Sequence, residues 1–201
     1  MSDCAFCTRE EQPAALFETA GLYVMPDKFP MTPGHVLIIC RAHLPCFAAA
    51  PETLLEELEE AAGRVRRFLR EAYGGAILAW ENGVAGQTVF HAHLHLLPGA
   101  PPGVPPALED AELVPIDGWE PVRRRFQRHG CYRYLAFGDD RRLLAGHSPA
   151  MARMRTFWEQ QFPARWSEEQ GEWVRATTPE DVCELGRRWA QWAHTRGGAD
   201  L

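Results

Sequence analysis

The chain has 201 residues, of which 46% are hydrophobic and 24% charged, and its formal net charge is −6. These proportions are typical of a soluble globular protein, and no apolar run reaches the roughly 20 residues of a membrane-spanning helix. The arginines of the C-terminal part are mixed with acidic residues, so we do not expect nucleic acid as a partner. Because the N-terminus lacks the basic start and apolar stretch of a secretory leader, we expect a cytoplasmic protein with reduced cysteines.

The first half of the chain alternates between strand and helix patterns. Short apolar runs at 21–27 and 35–40, joined by a loop rich in proline and glycine, predict two strands. Apolar residues at spacings of three and four in 51–75 predict a long amphipathic helix that begins at a proline and ends at two glycines. Strand character returns at 76–82 and 89–97. This order predicts an α+β domain with a mainly antiparallel sheet.

A proline-rich stretch separates this half from the rest of the chain. The five prolines of 98–110 exclude a central strand or a helix interior, so we predict a linker at 99–110 and a C-terminal extension at 111–201. Three elements are predicted in the extension: a hairpin at 132–145 and helices at 148–162 and 178–198. We expect a mainly helical extension whose role the sequence does not reveal.

Three histidines alternate with apolar residues in "GQTVFHAHLHLLP", residues 86–98. Alternate residues of a strand point to one face, so we expect His91, His93 and His95 to share a face. Same-face neighbours lie roughly 6.6 to 7 Å apart, which suits a single zinc ion poorly because its nitrogen ligands lie about 2.0 to 2.1 Å away. We therefore expect the three histidines to perform more than one task. The alternative is that they have no functional role and lie on an exposed strand face or are hydrogen-bonded in the core.

The segment "HAHLHLL" resembles the His-x-His-x-His motif of the histidine triad (HIT) family. The resemblance extends through "ENGVAGQTVFHAHLHLLP" and "DKFPMTPGHVLIICRAH" and covers about residues 4–98. It implies a HIT-like antiparallel sheet of about five strands with a long helix, forming a nucleotide-binding catalytic domain over 1–98. It also implies a homodimer whose sheet is continuous across both subunits.

The same resemblance implies a covalent mechanism. His93 would attack the α-phosphorus of a nucleotide, and water would then break the nucleotidyl-histidine. A neutral imidazole is a competent nucleophile near pH 7, provided that a hydrogen-bond acceptor, in this family a backbone carbonyl, fixes its tautomer. His95 would contact the phosphate and stabilise charge in the transition state, and His35 would support the triad.

The resemblance further implies contacts to a nucleotide substrate. Asp27 would accept hydrogen bonds from ribose hydroxyls, although a turn cap is the alternative interpretation. Asn82, Gln87 and Thr88 would lie around the phosphates, where an amide and a hydroxyl donate to oxygen. Mg²⁺ is a possible companion of the substrate.

A cysteine pair, Cys4-x-x-Cys7, lies near the N-terminus. By itself the pair is compatible with a redox site, half of a zinc site or coincidence. The resemblance implies a structural Zn²⁺ site that consists of Cys4, Cys7, His43 and His91. Such a site would connect the N-terminus to the catalytic strand.

The resemblance implies a hydrolase that acts on a dinucleoside polyphosphate, such as diadenosine tetraphosphate, or on a nucleoside phosphoramidate. A nucleotidyltransferase or phosphorylase of the same superfamily is the first alternative, and a non-catalytic nucleotide-binding module is the second. Many dinucleotide-cleaving relatives have a basic residue where Gly99 follows Pro98 here. An arginine of the extension is a possible substitute.

Overall fold

The structure is a computed structural model that describes residues 4–100, 112–144, 165–167, 172–174 and 177–196. The predicted helix at 148–162 and most of the predicted linker lie outside the described residues. The helices are α1 (Ala5–Thr8), α2 (Glu52–Tyr73), α3 (Glu120–His129) and α4 (Pro179–Thr195), with a 3-10 turn at Phe47–Ala49. The strands are β1 (Phe17–Glu18), β2 (Leu22–Pro26), β3 (Val36–Cys40), β4 (Ala76–Glu81), β5 (His93–Ala100), β6 (Leu113–Pro115), β7 (Tyr134–Phe137), β8 (Asp140–Leu144), β9 (Arg165–Ser167) and β10 (Glu172–Val174).

Eight strands form one antiparallel sheet in the order β1-β2-β3-β5-β4-β7-β8-β6, and β9 pairs with β10 separately. The predicted α+β class with an antiparallel sheet is confirmed. The sheet has eight strands rather than about five because the extension continues it. Strand β7 pairs with the edge of β4 that β5 leaves open, with Leu78 opposite Phe137 and Glu81 opposite Tyr134. The extension thus adds three strands to the sheet as well as helices α3 and α4.

Strand β5 differs from its prediction at both ends. It starts at His93 because the amide of His91 donates to the Val89 carbonyl two residues earlier, at 2.9 Å, which bends the chain before the strand. His91 therefore lies just before the strand, and its ring packs on the same Phe6 ring as that of His93, at 5.8 and 5.2 Å. At its other end β5 includes Pro98, beside a register shift between Ala76 and Ile77, where a missing amide donor is tolerated.

The two faces of the sheet have different coverings. Helix α2 packs its apolar side on one face, where Phe68 and Leu69 are fully buried, and α4 joins it through Trp189, whose ring lies 5.1 Å from that of Phe68. His93 and His95 pair with residues of β3 in the sheet and point to the opposite face. The candidate site therefore lies on the face that α2 does not cover. None of the described helices has both the length and the apolar character needed to cross a membrane.

Candidate functional site

Two cysteines and two histidines from three separate segments meet beside the start of β5. Cys4 and Cys7 belong to the first turn of the chain around α1, His43 follows β3, and His91 precedes β5. One ligand atom from each of the four residues lies within 4.8 Å of the others. The structure therefore brings together all four predicted metal ligands.

The spacing of these atoms matches a tetrahedral zinc site. Zinc lies about 2.3 Å from sulfur and about 2.0 to 2.1 Å from nitrogen, which separates tetrahedral ligands by roughly 3.6 Å for an S–N pair and roughly 3.3 Å for an N–N pair. Nδ1 of His91 lies 3.5 Å from each of the two sulfurs and 3.3 Å from Nδ1 of His43. Sγ of Cys7 lies 3.2 Å from Nδ1 of His43.

The tautomer of His91 also suits a metal ligand. Its Nε2 lies 2.6 Å from the carbonyl oxygen of Cys40. Because a carbonyl only accepts, Nε2 carries the proton, and the lone pair of Nδ1 points toward the cluster. Metal-binding histidines in proteins commonly use the second ring nitrogen in this way.

His93 has the opposite ring arrangement. Its Nδ1 donates to the carbonyl oxygen of His91 at 2.6 Å, which leaves the lone pair on Nε2. The side chain is only 6% exposed, and the ring of Phe6 packs edge-on against it at 5.2 Å. Burial lowers the pKa of His93, so the ring is neutral at pH 7. A neutral imidazole with a lone pair on Nε2 can act as a nucleophile.

A second cluster joins His35, His95 and Asp27, all buried. The backbone amide of Met31 donates to Nδ1 of His35 at 3.3 Å, so the proton of a neutral His35 is on Nε2. Nε2 lies 3.0 Å from Nδ1 of His95 and 3.4 Å from Oδ2 of Asp27. Donation to His95 leaves the proton of that ring on Nε2, where it can be donated to an oxyanion.

The ring of His95 is held between neighbours on the sheet face. Trp80, its partner across β4 and β5, stacks on it at 4.2 Å with an interplanar angle of 6°. The ring of His93 lies 4.9 Å away on the same strand. Oδ1 of Asp27 accepts from the amide of Phe29 at 2.8 Å, as a turn cap does, while Oδ2 faces the two imidazoles. The turn-cap interpretation of Asp27 is therefore observed, and its contact with ribose stays a prediction.

The remaining predicted residues lie in the loop between β4 and β5. Asn82 and Gln87 are buried and Thr88 is exposed. The amide nitrogen of Gln87 donates to the carbonyl of Pro45 at 3.0 Å. The side-chain oxygens Oδ1 of Asn82 and Oε1 of Gln87 are buried without a hydrogen-bond partner among the described residues. Unsatisfied buried acceptors are costly, and a ligand that donates to them would remove that cost.

The extension holds this loop in place. The amide of Tyr132 donates to the Gly83 carbonyl at 3.0 Å, and Nη2 of Arg133 donates to the Ala85 carbonyl at 3.1 Å. The Tyr132 hydroxyl also donates to the buried carboxylate of Glu81. Sequence patterns did not identify these residues, because their partners lie about fifty positions away and only the pairing of β7 with β4 brings them together.

Two further side chains near the histidines were not predicted from the sequence. Phe6 lies between the cysteines in "CAFC", and Trp80 lies within "AILAWEN". A weak signal for Trp80 existed, since its place on a central strand predicts a buried side chain on one face. Nothing local predicts that this face carries His95.

The family model of the HIT domain matches residues 8–101. A HIT-like protein of Chlamydia pneumoniae is 36% identical over 92 residues, which are 44% of this chain and 83% of that protein. An adenylylsulfatase of Arabidopsis thaliana is 29% identical over 103 residues, 48% of this chain and 52% of that protein.

Among solved structures, a zinc-bound histidine triad family protein from Mycobacterium smegmatis is 31% identical and has a TM-score of 0.43. The alignment covers 48% of this chain and 74% of that one. The C. pneumoniae relative is matched over 83% of its length at 36% identity. The chain belongs to the histidine triad family.

Proposed function

We propose that the protein is a nucleotide hydrolase that cleaves at an α-phosphate through a nucleotidyl-histidine intermediate on His93. One observation carries the proposal: Nδ1 of His93 donates to the His91 carbonyl at 2.6 Å. This hydrogen bond fixes the tautomer in which Nε2 is nucleophilic. A neutral imidazole in this tautomer needs no separate base to act as the nucleophile.

In the first step the lone pair of Nε2 of His93 forms a bond to the α-phosphorus. The bond from phosphorus to the leaving group breaks, and its electron pair goes to the leaving oxygen or nitrogen. In the second step water attacks the phosphorus, the P–N bond breaks, and its electron pair returns to Nε2. The proton of the attacking water leaves with the solvent or with the product phosphate.

His95 and His35 act on the charge that develops on the phosphate. Because Nδ1 of His95 accepts from His35, its Nε2–H is a donor to a non-bridging oxygen. The Asp27 carboxylate, 3.4 Å from Nε2 of His35, stabilises positive charge on this pair of rings. His35 and Asp27 therefore position and polarise His95.

The substrate contacts are proposed from the chemistry of the groups present. Asp27 still has lone pairs for a ribose hydroxyl, since a carboxylate accepts several hydrogen bonds. The unpartnered oxygens of Asn82 and Gln87 are acceptors available to a ligand. Thr88 is exposed beside them and offers a hydroxyl to phosphate.

Zinc is the metal that the Cys4, Cys7, His43 and His91 set fits, because sulfur and nitrogen ligands in tetrahedral spacing favour it. All four positions are supplied by protein, so the ion would be structural, connecting α1 to the segment before β5. Thiolate ligands require reduced cysteines, consistent with the cytoplasmic location that we propose. The expectation of Mg²⁺ finds no support among the described residues, whose potential ligand clusters are mostly nitrogen and sulfur.

The expected homodimer with a continuous sheet would need an unpaired strand edge in each chain. Both edges of β4 are hydrogen-bonded within the chain, to β5 and to β7. Among the strands that the structure describes, the main sheet ends in β1 and β6, of two and three residues. These edges are short for pairing with a second copy, so we favour a site that is complete in one chain.

The proposed substrates share one reacting group, an α-phosphate with a good leaving group. Diadenosine tetraphosphate and an adenosine phosphoramidate are the first to test, and adenylyl sulfate is added because one relative is an adenylylsulfatase. Supplying inorganic phosphate in place of water alone distinguishes a hydrolase from a phosphorylase. A non-catalytic module would bind AMP and cleave none of these compounds.

The decisive experiment is rapid-quench mass spectrometry of the intact protein with a slow adenylyl substrate. We expect a mass increase of one adenylyl group located on His93, absent in His93→Ala and retained in the control His129→Ala, whose histidine is exposed at the end of α3. Turnover that survives in His93→Ala would show that the mechanism is wrong.

A further inference from the structure

Tyr132 belongs to the extension, outside residues 8–101 to which the HIT domain model is confined, and it contacts the loop between β4 and β5. Its amide donates to the carbonyl of Gly83 at 3.0 Å. Its ring covers Gly83 so closely that a Cβ added there would lie 2.6 Å from three ring atoms. The backbone and the ring of Tyr132 therefore both fix the start of this loop.

The next residue of the loop, Val84, has a strained backbone. Its φ is +74°, a value that β-branched residues rarely adopt because Cβ crowds the backbone. Such a conformation persists only where the surrounding structure imposes it. Val84 forms an isolated bridge with Tyr132, and the carbonyl of Ala85 accepts from Nη2 of Arg133 at 3.1 Å. The extension thus supplies contacts that hold the strained conformation.

The hydroxyl of Tyr132 reaches a second segment, residues 45–48. It donates to the carboxyl group of Glu81 and accepts from the amide of Ala48 at 3.1 Å. The same carboxyl group accepts from the amide of Phe47 at 2.8 Å. Both side chains of this pair are buried, and buried hydrogen-bonding groups are costly to leave unpaired. The hydroxyl therefore fixes segment 45–48 against the end of β4.

Segment 45–48 in turn orients the side chain of Gln87. The carbonyl of Pro45 accepts from Nε2 of Gln87 at 3.0 Å, which determines where the other end of the amide points. That other end, Oε1, is buried without a hydrogen-bond partner among the described residues. The hydroxyl of Tyr132 is thus connected to Gln87 through a short chain of hydrogen bonds.

Asn82 lies between Glu81 and Gly83, the two loop-side residues that Tyr132 contacts. The alternation of β4, continued by one residue, places Asn82 on the same face as Trp80, whose ring stacks on His95. Its Oδ1 is also buried without a partner in the described part of the chain. Tyr132 therefore holds the backbone on both sides of Asn82.

We propose that Tyr132 is a positioning residue of the substrate site, which fixes Asn82 and Gln87 in the orientation that receives the nucleotide. The extension thereby contributes to substrate affinity through the loop that it holds. This inference rests on the proposed nucleotide function. It assigns a determinant of binding to a residue that the family model does not include.

The test compares Tyr132→Phe with the matched control Tyr134→Phe in the full chain. Both tyrosines are 2% exposed, so each substitution removes one buried hydroxyl, but the ring of Tyr134 stacks on Trp119. Isothermal titration calorimetry with AMP gives the dissociation constant of each protein. We expect Tyr132→Phe to weaken AMP binding roughly 2- to 10-fold, as loss of one hydrogen bond does. Tyr134→Phe should bind AMP like the wild type, although thermal unfolding should show that both variants are destabilised.

Hydrogen exchange measured by mass spectrometry locates the effect in the loop. Amides of residues 83–88 should exchange faster in Tyr132→Phe than in the wild type, and those of α2 should not. Tyr134→Phe should leave the loop unchanged. Glu81→Gln keeps a hydrogen-bonding partner for the Tyr132 hydroxyl, so it should retain both the affinity for AMP and the protection of the loop.

The possible failures are distinguishable. If Tyr132→Phe binds AMP as tightly as the wild type, the positioning role is refuted while the nucleotide function stands. An equal loss of affinity in Tyr134→Phe would also refute that role, because the effect would then reflect general stability. If the wild type does not bind AMP, the nucleotide function fails, and the role of Tyr132 in substrate binding fails with it.

Discussion

Glu81, the last residue of β4, provides a quantitative test of the junction between the sheet and the extension. Its carboxyl group is fully buried and accepts hydrogen bonds from the amide of Phe47, at 2.8 Å, and from the hydroxyl of Tyr132. Burial nevertheless raises the pKa of Glu81 to about 8, from an ordinary value of 4.5, because the charged form is poorly solvated there.

The raised pKa of Glu81 determines how the stability of the folded protein changes with pH. The folded protein binds the proton more tightly than the unfolded chain, so this contribution to stability is complete below pH 4.5 and is lost as the pH rises toward 8. Each pH unit in this window costs about 1.4 kcal/mol of unfolding free energy. Between pH 5 and pH 7 the loss is therefore about 2 to 3 kcal/mol.

The perturbation is Glu81→Gln, which keeps the shape and a hydrogen-bonding oxygen but cannot ionise. Urea unfolding followed by circular dichroism at pH 5, 6, 7 and 8 gives the stability of both proteins. We expect the variant to gain about 2 to 3 kcal/mol relative to the wild type between pH 5 and 7, since other titrating groups cancel in the difference. Glu112→Gln, at an exposed position, should show no such trend. Parallel pH profiles for Glu81→Gln and the wild type would refute the reasoning.

Three further predictions concern the metal, the loop and the assembly. Purified protein should contain about one zinc ion per chain, measured by mass spectrometry of the metal. Cys7→Ser should remove the zinc, whereas Cys183→Ser, at an exposed position on α4, should not. Equal zinc content in the wild type and both variants would exclude the site. In Gly83→Ala the new Cβ would lie 2.6 Å from ring atoms of Tyr132 at a φ of +41°, so we expect thermal unfolding to reveal a loss of about 2 to 4 kcal/mol. Gly63→Ala in α2, where nothing lies within 4 Å, should instead gain up to about 1 kcal/mol, and equal effects at the two glycines would contradict the packing described. Light scattering should give the mass of one chain because β7 occupies the edge of β4, and a dimer that survives dilution would contradict this.

Much of the core and of the candidate site could be predicted from local patterns. Helix α2 follows from its apolar period and its flanking proline and glycine, and it ends at Gly74, whose φ of +73° suits glycine. The start of α4 was also predicted, at residue 178, and the structure has Thr178 as the N-cap of this helix. The alternation predicted that His93 and His95 share a face of one strand, because alternation along a strand is a property of the backbone itself. The particular role of His93 came from the resemblance to the histidine triad family and stays a prediction.

The groups that each histidine contacts became known only from the fold. The rings of His91 and His93 both contact Phe6, at 5.8 and 5.2 Å, yet they use Nδ1 differently. Nδ1 of His91 faces the cysteines, whereas Nδ1 of His93 donates to the His91 carbonyl. The contact between His35 and His95 joins residues sixty positions apart, and it depends on the register of β3 against β5. Local periodicity carries no information about such register.

The extension was the least predictable part. Its hairpin and its last helix were predicted, but not that β7 would pair with β4 or that Trp189 of α4 would pack on Phe17 and Phe68. Secondary structure follows from interactions between near neighbours in sequence, which the printed residues display directly. Which edge a strand joins depends on hydrogen bonds and apolar contacts between distant segments, and these exist only once the chain has folded.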